Sequence, residues 1–215
     1  MDTTVTEGIH TDGARGARTA RPRRAMGSFP GLPIAQAALR FARARHAGQH
    51  READHAAFIV HPLEVGHLLC SDGQTDEIVA AGLLHDVLEK TATTSAELQR
   101  RFGLRIAQVV ESVSDDPSLD DYDSRKRDLR DRVGHADPGT RAVFAADKIA
   151  KARELALLPG GQLNEPENRA KLAHYHASLE TLRKVDRDMP LIHRLAAELN
   201  GIAARDVAKP LVAVT

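Results

Sequence analysis

Apolar residues recur along this chain at helical spacing, beginning near residue 34 and scarcely pausing. Ile34, Ala38, Phe41 and Ala42 form the first stripe. Pro62 suits the first turn of a second helix running through Leu63 and Leu69. Thr75 is placed to cap a helix from Asp76 to about Glu89, with two acidic residues in its first turn. Thr94 followed by Glu97 reads as a capping box, and Gly103 as that helix's stop. Ile106, Val109, Val110 and Val113 mark the next stripe. The segment from Asp115 to Asp131 is dominated by charge and reads as a loop or an exposed helix. Pro138 opens a helix carrying Val143, Phe144, Ile149 and Leu155, which Pro159-Gly160-Gly161 ends. Two more follow, about Pro166 to Asp186 and Pro190 to Ala204. No segment alternates as a strand does, and no internal repeat is visible. The expectation is an all-α, single-domain helical bundle.

Composition agrees with that pattern. Alanine, leucine and arginine, all good helix formers, carry much of the sequence, and aromatic residues make up only 3%. Residues 1 to about 30, with Gly13-Ala14-Arg15-Gly16-Ala17-Arg18 leading into Arg21-Pro22-Arg23-Arg24, have little to bury and read as a disordered leader. The domain is expected over 31–205, with a short tail at 206–215. Lys+Arg and Asp+Glu each total 30, so no global charge draws the chain to nucleic acid or to an acidic membrane. A single cysteine, Cys70, excludes an intrachain disulfide framework. No apolar run approaches the roughly 18 residues of a membrane span. A soluble, cytoplasmic protein is the expectation.

The chemistry concentrates in three places. In Leu83-Leu84-His85-Asp86-Val87-Leu88-Glu89, burial of the two leucines sets an adjacent His and Asp at the edge of the core, where unpaired polar groups are costly. A metal ion satisfies both, and imidazole with carboxylate suits Mn²⁺, Fe²⁺ or Zn²⁺. Glu89, four residues after His85, lies on nearly the same helical face, placed to meet a water on such an ion. Phe58-Ile59-Val60-His61-Pro62 puts a second His just before a helix start, where it is either a ligand or a capping or core histidine. Ala145-Ala146-Asp147-Lys148-Ile149 puts a carboxylate in an apolar stripe, either as a ligand or in an i,i+4 ion pair with Lys151. His174 and His176, two apart, face different sides of a helix and make poor partners for one metal.

The ordered set His, His-Asp, Asp resembles the HD superfamily, and its spacing is similar to the RelA/SpoT-type hydrolase domain and its small stand-alone members. The similarity runs over roughly residues 35–190. It includes Arg45-His46-Ala47-Gly48-Gln49-His50-Arg51, Ile59-Val60-His61-Pro62, Arg101-Phe102-Gly103, Val109-Val110-Glu111 and Ala146-Asp147-Lys148 beside the motifs above. The resemblance implies one Mn²⁺ ion, with Fe²⁺ or Zn²⁺ as alternatives, held by His61, His85, Asp86 and Asp147. It implies hydrolysis of the 3′-pyrophosphate of a guanosine alarmone or dephosphorylation of a nucleotide such as NADPH. Glu89 and Lys90 then occupy the catalytic positions, and Arg45, Arg51, Lys148 and Lys151 the substrate-binding ones. The chain departs from the family where Lys90 stands for a second acid, Glu52 for a lysine and Lys151 for an asparagine. Those departures leave room for a weakly active or inactive domain that senses a nucleotide.

Overall fold

In the computed structural model, residues 28–159 and 161–207 are described. Among them the chain forms ten α-helices, one short 3₁₀ turn at Gln162–Asn164 and no strand beyond an isolated antiparallel bridge between His50 and Ala57. The helices are α1 Pro33–Arg45, α2 Val60–Ser71, α3 Asp76–Leu84, α4 Val87–Lys90 and α5 Ser95–Phe102. They continue as α6 Leu104–Val113, α7 Tyr122–His135, α8 Pro138–Ala156, α9 Pro166–Val185 and α10 Pro190–Val207. No helix among the described residues is long and apolar enough to cross a membrane. The N-terminal leader up to residue 27 and the tail from residue 208 lie outside the described residues. Phe29, assigned to the leader from the sequence, belongs to the domain instead: it is buried and its ring stacks on His67 at 4.8 Å.

Two helices form the interior. Residues 78–84 of α3 and 142–150 of α8 are buried without interruption, apolar throughout in α3 and in α8 but for Asp147 and Lys148, so both pack in the middle of the bundle. Helices α1, α2 and α6 cover α3, while α2, α9 and α10 cover α8. Small side chains make this close packing achievable. A Cβ on Gly82 would meet Leu69 Cδ1 at 2.2 Å, and one on Gly66 would meet Leu83 Cδ2 at 2.8 Å. The α2–α3 crossing therefore interlocks each glycine with a leucine of the other helix.

The termini of these core helices are held by side chains. Asp137 accepts from the amides of Gly139 and Thr140 at 2.9 and 3.2 Å, ahead of Pro138 at the start of α8. Arg105 donates to the same carboxylate, which its partners hold well below the usual range despite partial burial. Thr75 caps α3 by accepting from the Ile78 amide, as its position suggested. Asp76 reaches across to accept from the amides of Ile34 and Ala35 at 2.9 and 2.8 Å, tying the start of α1 to the start of α3.

Three boundaries differ from the sequence reading. Helix α2 begins at Val60, so His61 lies in its first turn rather than before it. Pro62 permits this because first-turn amides have no acceptor inside the helix. The long helix expected from Asp76 to Glu89 is broken at His85-Asp86 into α3 and α4. The Gly82 carbonyl, which a continuous helix offers to the amide of residue 86, accepts from His85 Nδ1 at 2.8 Å. The charged segment is irregular up to Asp121 and helical from Tyr122.

Alanine at position 82 tests the crossing. In an open helix Gly→Ala stabilises by roughly 1 kcal/mol. Here the 2.2 Å overlap with a fully buried leucine reverses the sign. Gly82→Ala is expected to lose about 1–3 kcal/mol in urea denaturation, and a gain in stability would refute the packing described.

Candidate metal centre

The interior helices bring three buried segments to one point. His61 enters from the first turn of α2, His85 and Asp86 from the break between α3 and α4, and Asp147 from the middle of α8. Their relative exposures are 1%, 3%, 2% and 5%, so water cannot supply the missing partners. His61 Nε2 lies 3.2 Å from His85 Nε2, 3.1 Å from Asp147 Oδ1 and 3.5 Å from Asp86 Oδ2. His85 Nε2 lies 3.2 Å from Asp86 Oδ2 and 3.3 Å from Asp147 Oδ1.

The opposite edge of each ring fixes its protonation. His61 Nδ1 meets Glu154 Oε1 at 2.7 Å, and His85 Nδ1 meets the Gly82 carbonyl at 2.8 Å. A carboxylate and a carbonyl only accept, so both Nδ1 atoms carry the hydrogen. In the neutral rings, both Nε2 atoms then present lone pairs toward each other and toward two carboxylate oxygens. Four lone pairs converging in a dry interior repel unless a cation lies among them.

The donor set fits a metal ion. Ligands about 2.1 Å from one cation stand roughly 3.0 Å apart at right angles and about 3.4 Å apart at the tetrahedral angle. The five separations given above fall between 3.1 and 3.5 Å. Asp86 Oδ2 is buried without a hydrogen-bond partner, the orphaned acceptor that a cation would satisfy. His61, His85 and Asp86 by themselves form a cluster with metal-binding spacing.

Protons take the cation's place when none is bound. Burial opposes charge on His85, but Asp86 and Asp147 outweigh it and raise the imidazole to about 10. His61 is raised as well, against its own burial, by Asp147 and Glu154. Both aspartates are held well below the usual carboxylate range although burial acts the other way: His85 and Lys151 prevail at Asp86, Lys148 and Lys151 at Asp147.

Asp147 serves two sets of partners. Its Oδ1 faces the imidazoles and Oδ2 accepts from Lys148 at 2.6 Å, while the Lys151 ammonium lies against both oxygens, 3.1 Å from Oδ1 and 3.2 Å from Oδ2. The Lys151 ion pair weighed from the sequence thus exists alongside the metal-facing contact. Lys148 is buried over the Phe144 ring, and loss of hydration lowers its amine to about 8 in spite of Asp147.

A cleft of about 720 Å³ opens beside the cluster, lined among others by His61, Asp86, Lys90, Lys151, Glu154 and Tyr175. Lys151 and Arg51 border it, whereas Lys148 lies beneath and Arg45 lies elsewhere. Arg45 pairs with Glu97 at 2.5 Å and stacks on Phe41, so the structure does not bring it to the cleft. Arg51 borders the cleft but is almost fully buried, its guanidinium engaged by Asp54 and Glu154. Lys90 stands 5.3 Å from the centroid of the Phe58 ring. Glu89 is exposed, and its Oε1 accepts from the Asp115 amide at 2.9 Å. The basic run 125–127 is occupied locally, Arg125 by the Leu119 and Asp120 carbonyls and Lys126 by Asp115. His174 is buried and His176 exposed, on different sides of α9 as their spacing requires.

Glu154 is the residue that sequence reasoning missed. The signal was present: Asp147, Lys151 and Glu154 fall at i, i+4 and i+7 of one helix and share a face.

The sequence profile described as HD domain matches residues 38–156, more than half of the chain. The guanosine-3′,5′-bis(diphosphate) 3′-pyrophosphohydrolase MESH1 of Danio rerio is 36% identical over 120 residues, covering 54% of this chain and 66% of that protein. The corresponding MESH1 of Homo sapiens is 37% identical over 118 residues, covering 54% and 65%. The chain thus spans just under two thirds of the length of these curated relatives. A metazoan orthologue of SpoT, a protein that hydrolyses ppGpp, has a solved structure that matches with a TM-score of 0.69 at 21% identity. That match covers 83% of this chain and 97% of the other, and it is a likeness of fold. With the helical bundle, the clustered His and Asp side chains and the profile match in agreement, the chain belongs to the HD domain superfamily, among its RelA/SpoT-type hydrolase domains.

Proposed function

We propose that this chain is a divalent-metal-dependent phosphohydrolase of a phosphorylated nucleotide, with guanosine 3′,5′-bis(diphosphate) as substrate, water attacking the 3′-linked phosphorus and releasing pyrophosphate as the ribose 3′-oxygen leaves. The convergence of four buried donor atoms, beside a cleft bordered by three lysines, carries this reading. The similarity to the MESH1 pyrophosphohydrolases supports the choice of substrate.

His61, His85, Asp86 and Asp147 hold the ion, and Mn²⁺ is the metal we assign, since two imidazoles and two carboxylates suit it. When bound, such an ion supplies a water of lowered pKa and positive charge for the phosphoryl oxygens. Lys90 and Lys151, both lining the cleft, place ammonium groups where an incoming phosphate needs them. Glu89 follows the His-Asp pair on α4 and takes a proton from the attacking water, with Oε1 anchored by the Asp115 amide. The buried walls around His61 and Asp86 exclude bulk water and so strengthen each of these contacts.

A second reading is favoured by Lys90. It places an ammonium in the cleft, where the related family has a second carboxylate to work on the water. Such a domain binds the nucleotide tightly and turns it over slowly or not at all.

The first test is a product assay. Mn²⁺-loaded protein is expected to release pyrophosphate from guanosine tetraphosphate, or phosphate from NADPH if a monoester is preferred. His85→Ala or Asp86→Ala should lower the rate at least about 100-fold and abolish metal uptake. Absence of release from either nucleotide refutes the hydrolase. Tight binding without turnover, with turnover gained in Lys90→Asp, selects the sensor.

The protonation of the centre supplies a second test. His85 is raised from 6.5 to about 10 without metal, so at neutral pH the ion must displace protons. Apparent Mn²⁺ affinity should therefore climb between pH 6.5 and 10. In chelator-treated protein the sign inverts: a raised imidazole stabilises the fold fully below 6.5, and that stability is lost as the pH rises through about 10. Calorimetric titration and urea midpoints across this range check both, and a Mn²⁺ affinity that does not change with pH would count against the assignment.

A further inference from the structure

The two imidazoles of the cluster are oriented by different means. His85 donates to a backbone carbonyl of its own helix, so its orientation follows from the α3 break itself. His61 donates to a side chain 93 residues away, Glu154 on α8. Glu154 is half-buried, and its Oε1 also lies 3.4 Å from Arg51 Nη1.

Arg51 is immobilised in turn. Its Nε donates to Asp54 Oδ1 at 3.0 Å, and Nη2 pairs with Asp54 Oδ2. Asp54 Oδ1 also accepts from the Ala56 amide at 3.1 Å, and the Arg51 amide donates to the Ala56 carbonyl at 2.8 Å. These bonds close residues 49–58 into a tight loop, with Phe58 N bonded to the Gln49 carbonyl at 2.9 Å. The Arg51 side chain retains only 7% of its exposure, and all three guanidinium nitrogens have carboxylate oxygens within 3.4 Å. Little of this group is left for a nucleotide.

We propose that Glu154 is a positioning residue for His61, and that Arg51 acts through Glu154 instead of gripping substrate. A neutral imidazole has two tautomers, and only the one protonated at Nδ1 turns a lone pair into the centre. The Glu154 carboxylate selects that tautomer, fixes the ring plane and makes Nε2 a stronger donor. Arg51 supplies what Glu154 alone lacks. A carboxylate bordering the cleft beside a cation site is free to swing in as an extra ligand, and the guanidinium holds it outward. The chain Asp54, Arg51, Glu154, His61 thus couples the loop at residues 49–58 to the metal ligand.

This inference rests on the metal centre proposed above, and the experiment separates the two. Mn²⁺ binding to the full chain is measured by titration calorimetry for the unchanged protein, Glu154→Gln, Glu154→Ala, Arg51→Ala and the Glu154→Ala/Arg51→Ala double variant. Melting in chelator is followed in parallel. Glu154→Ala should weaken Mn²⁺ binding about 10–100-fold. Glu154→Gln, whose amide oxygen still accepts from Nδ1, should recover most of that loss. Arg51→Ala should weaken binding in the same direction, and the double variant should be no worse than Glu154→Ala, because the two act in series. The loss for Arg51→Ala should fall on Mn²⁺ affinity and not on the Michaelis constant for guanosine tetraphosphate.

Unchanged Mn²⁺ affinity in Glu154→Ala overturns the proposal. So does an Arg51→Ala variant that raises the Michaelis constant while binding Mn²⁺ normally. If Glu154→Ala does not fold, Glu154→Gln and Arg51→Ala decide: near-normal Mn²⁺ binding in Glu154→Gln with weakened binding in Arg51→Ala sustains the proposal, and an intact Arg51→Ala overturns it. Should the unchanged protein take up no Mn²⁺, or His85→Ala retain it, the metal centre itself is wrong and the inference falls with it.

Discussion

Everything in this bundle is arranged around lone pairs that cannot be left facing each other. His61, His85, Asp86 and Asp147 are all at most 5% exposed, and Asp86 Oδ2 and Asp147 Oδ1 each lie within 3.5 Å of both imidazole Nε2 atoms. Water cannot relieve that crowding, so the centre takes up protons or a metal ion. The fold bears the strain because the helices that deliver these groups are otherwise apolar. Helix α3 and the buried face of α8 present mainly alanine, valine, leucine and isoleucine, and their burial holds the polar cluster in place. The glycines at 66 and 82 matter for the same reason, since the α2–α3 approach sets the distance between His61 and His85.

Much of this was legible from residue order because the relevant signals were local. Caps at Thr75 and Thr94 and the proline at 138 depend on neighbours three or four positions away, and each lies where expected. The adjacent His85 and Asp86 behind two leucines stood out for the cost of burying them. What escaped depends on tertiary partners. Arg45 and Arg51 read as free cations in a motif, yet Glu97 engages the first, and Asp54 and Glu154 engage the second. Phe29 followed an arginine-rich segment and looked solvated, but a pocket over Gly66 and His67 receives it. The break after Leu84 was hidden because α3 and α4 together carry a seamless helical pattern. Only the turn of the His85 ring back onto the Gly82 carbonyl interrupts it.

The placement of positive charge separates support of the metal centre from recognition of substrate. Lys148 and Lys151 both engage Asp147 Oδ2, but only Lys151 borders the cleft. Lys148 is a structural counter-ion, buried over Phe144, with its amine already weakened to about 8. A divalent ion on the far side of Asp147 adds repulsion and draws carboxylate density away from this ammonium. Lys148 and a cation bound in the proposed centre would therefore draw on one carboxylate, and Asp147 turns Oδ2 to Lys148 while Oδ1 faces the imidazoles.

Lys90 bears on the same question. Asp86, one helical turn back, meets Lys90 along the backbone, where its carbonyl accepts the Lys90 amide at 3.0 Å. The Lys90 ammonium stands instead over Phe58, in the cleft. A carboxylate at this position would share the work on the attacking water, whereas an ammonium draws in phosphate. In the proposed hydrolase the substitution would move this wall from water activation toward anion binding and leave Glu89 to take the proton. Glu89 Oε1 already accepts from the Asp115 amide, a bond that fixes where this carboxylate sits. In such a site the affinity for the nucleotide and the rate of its hydrolysis need not rise together.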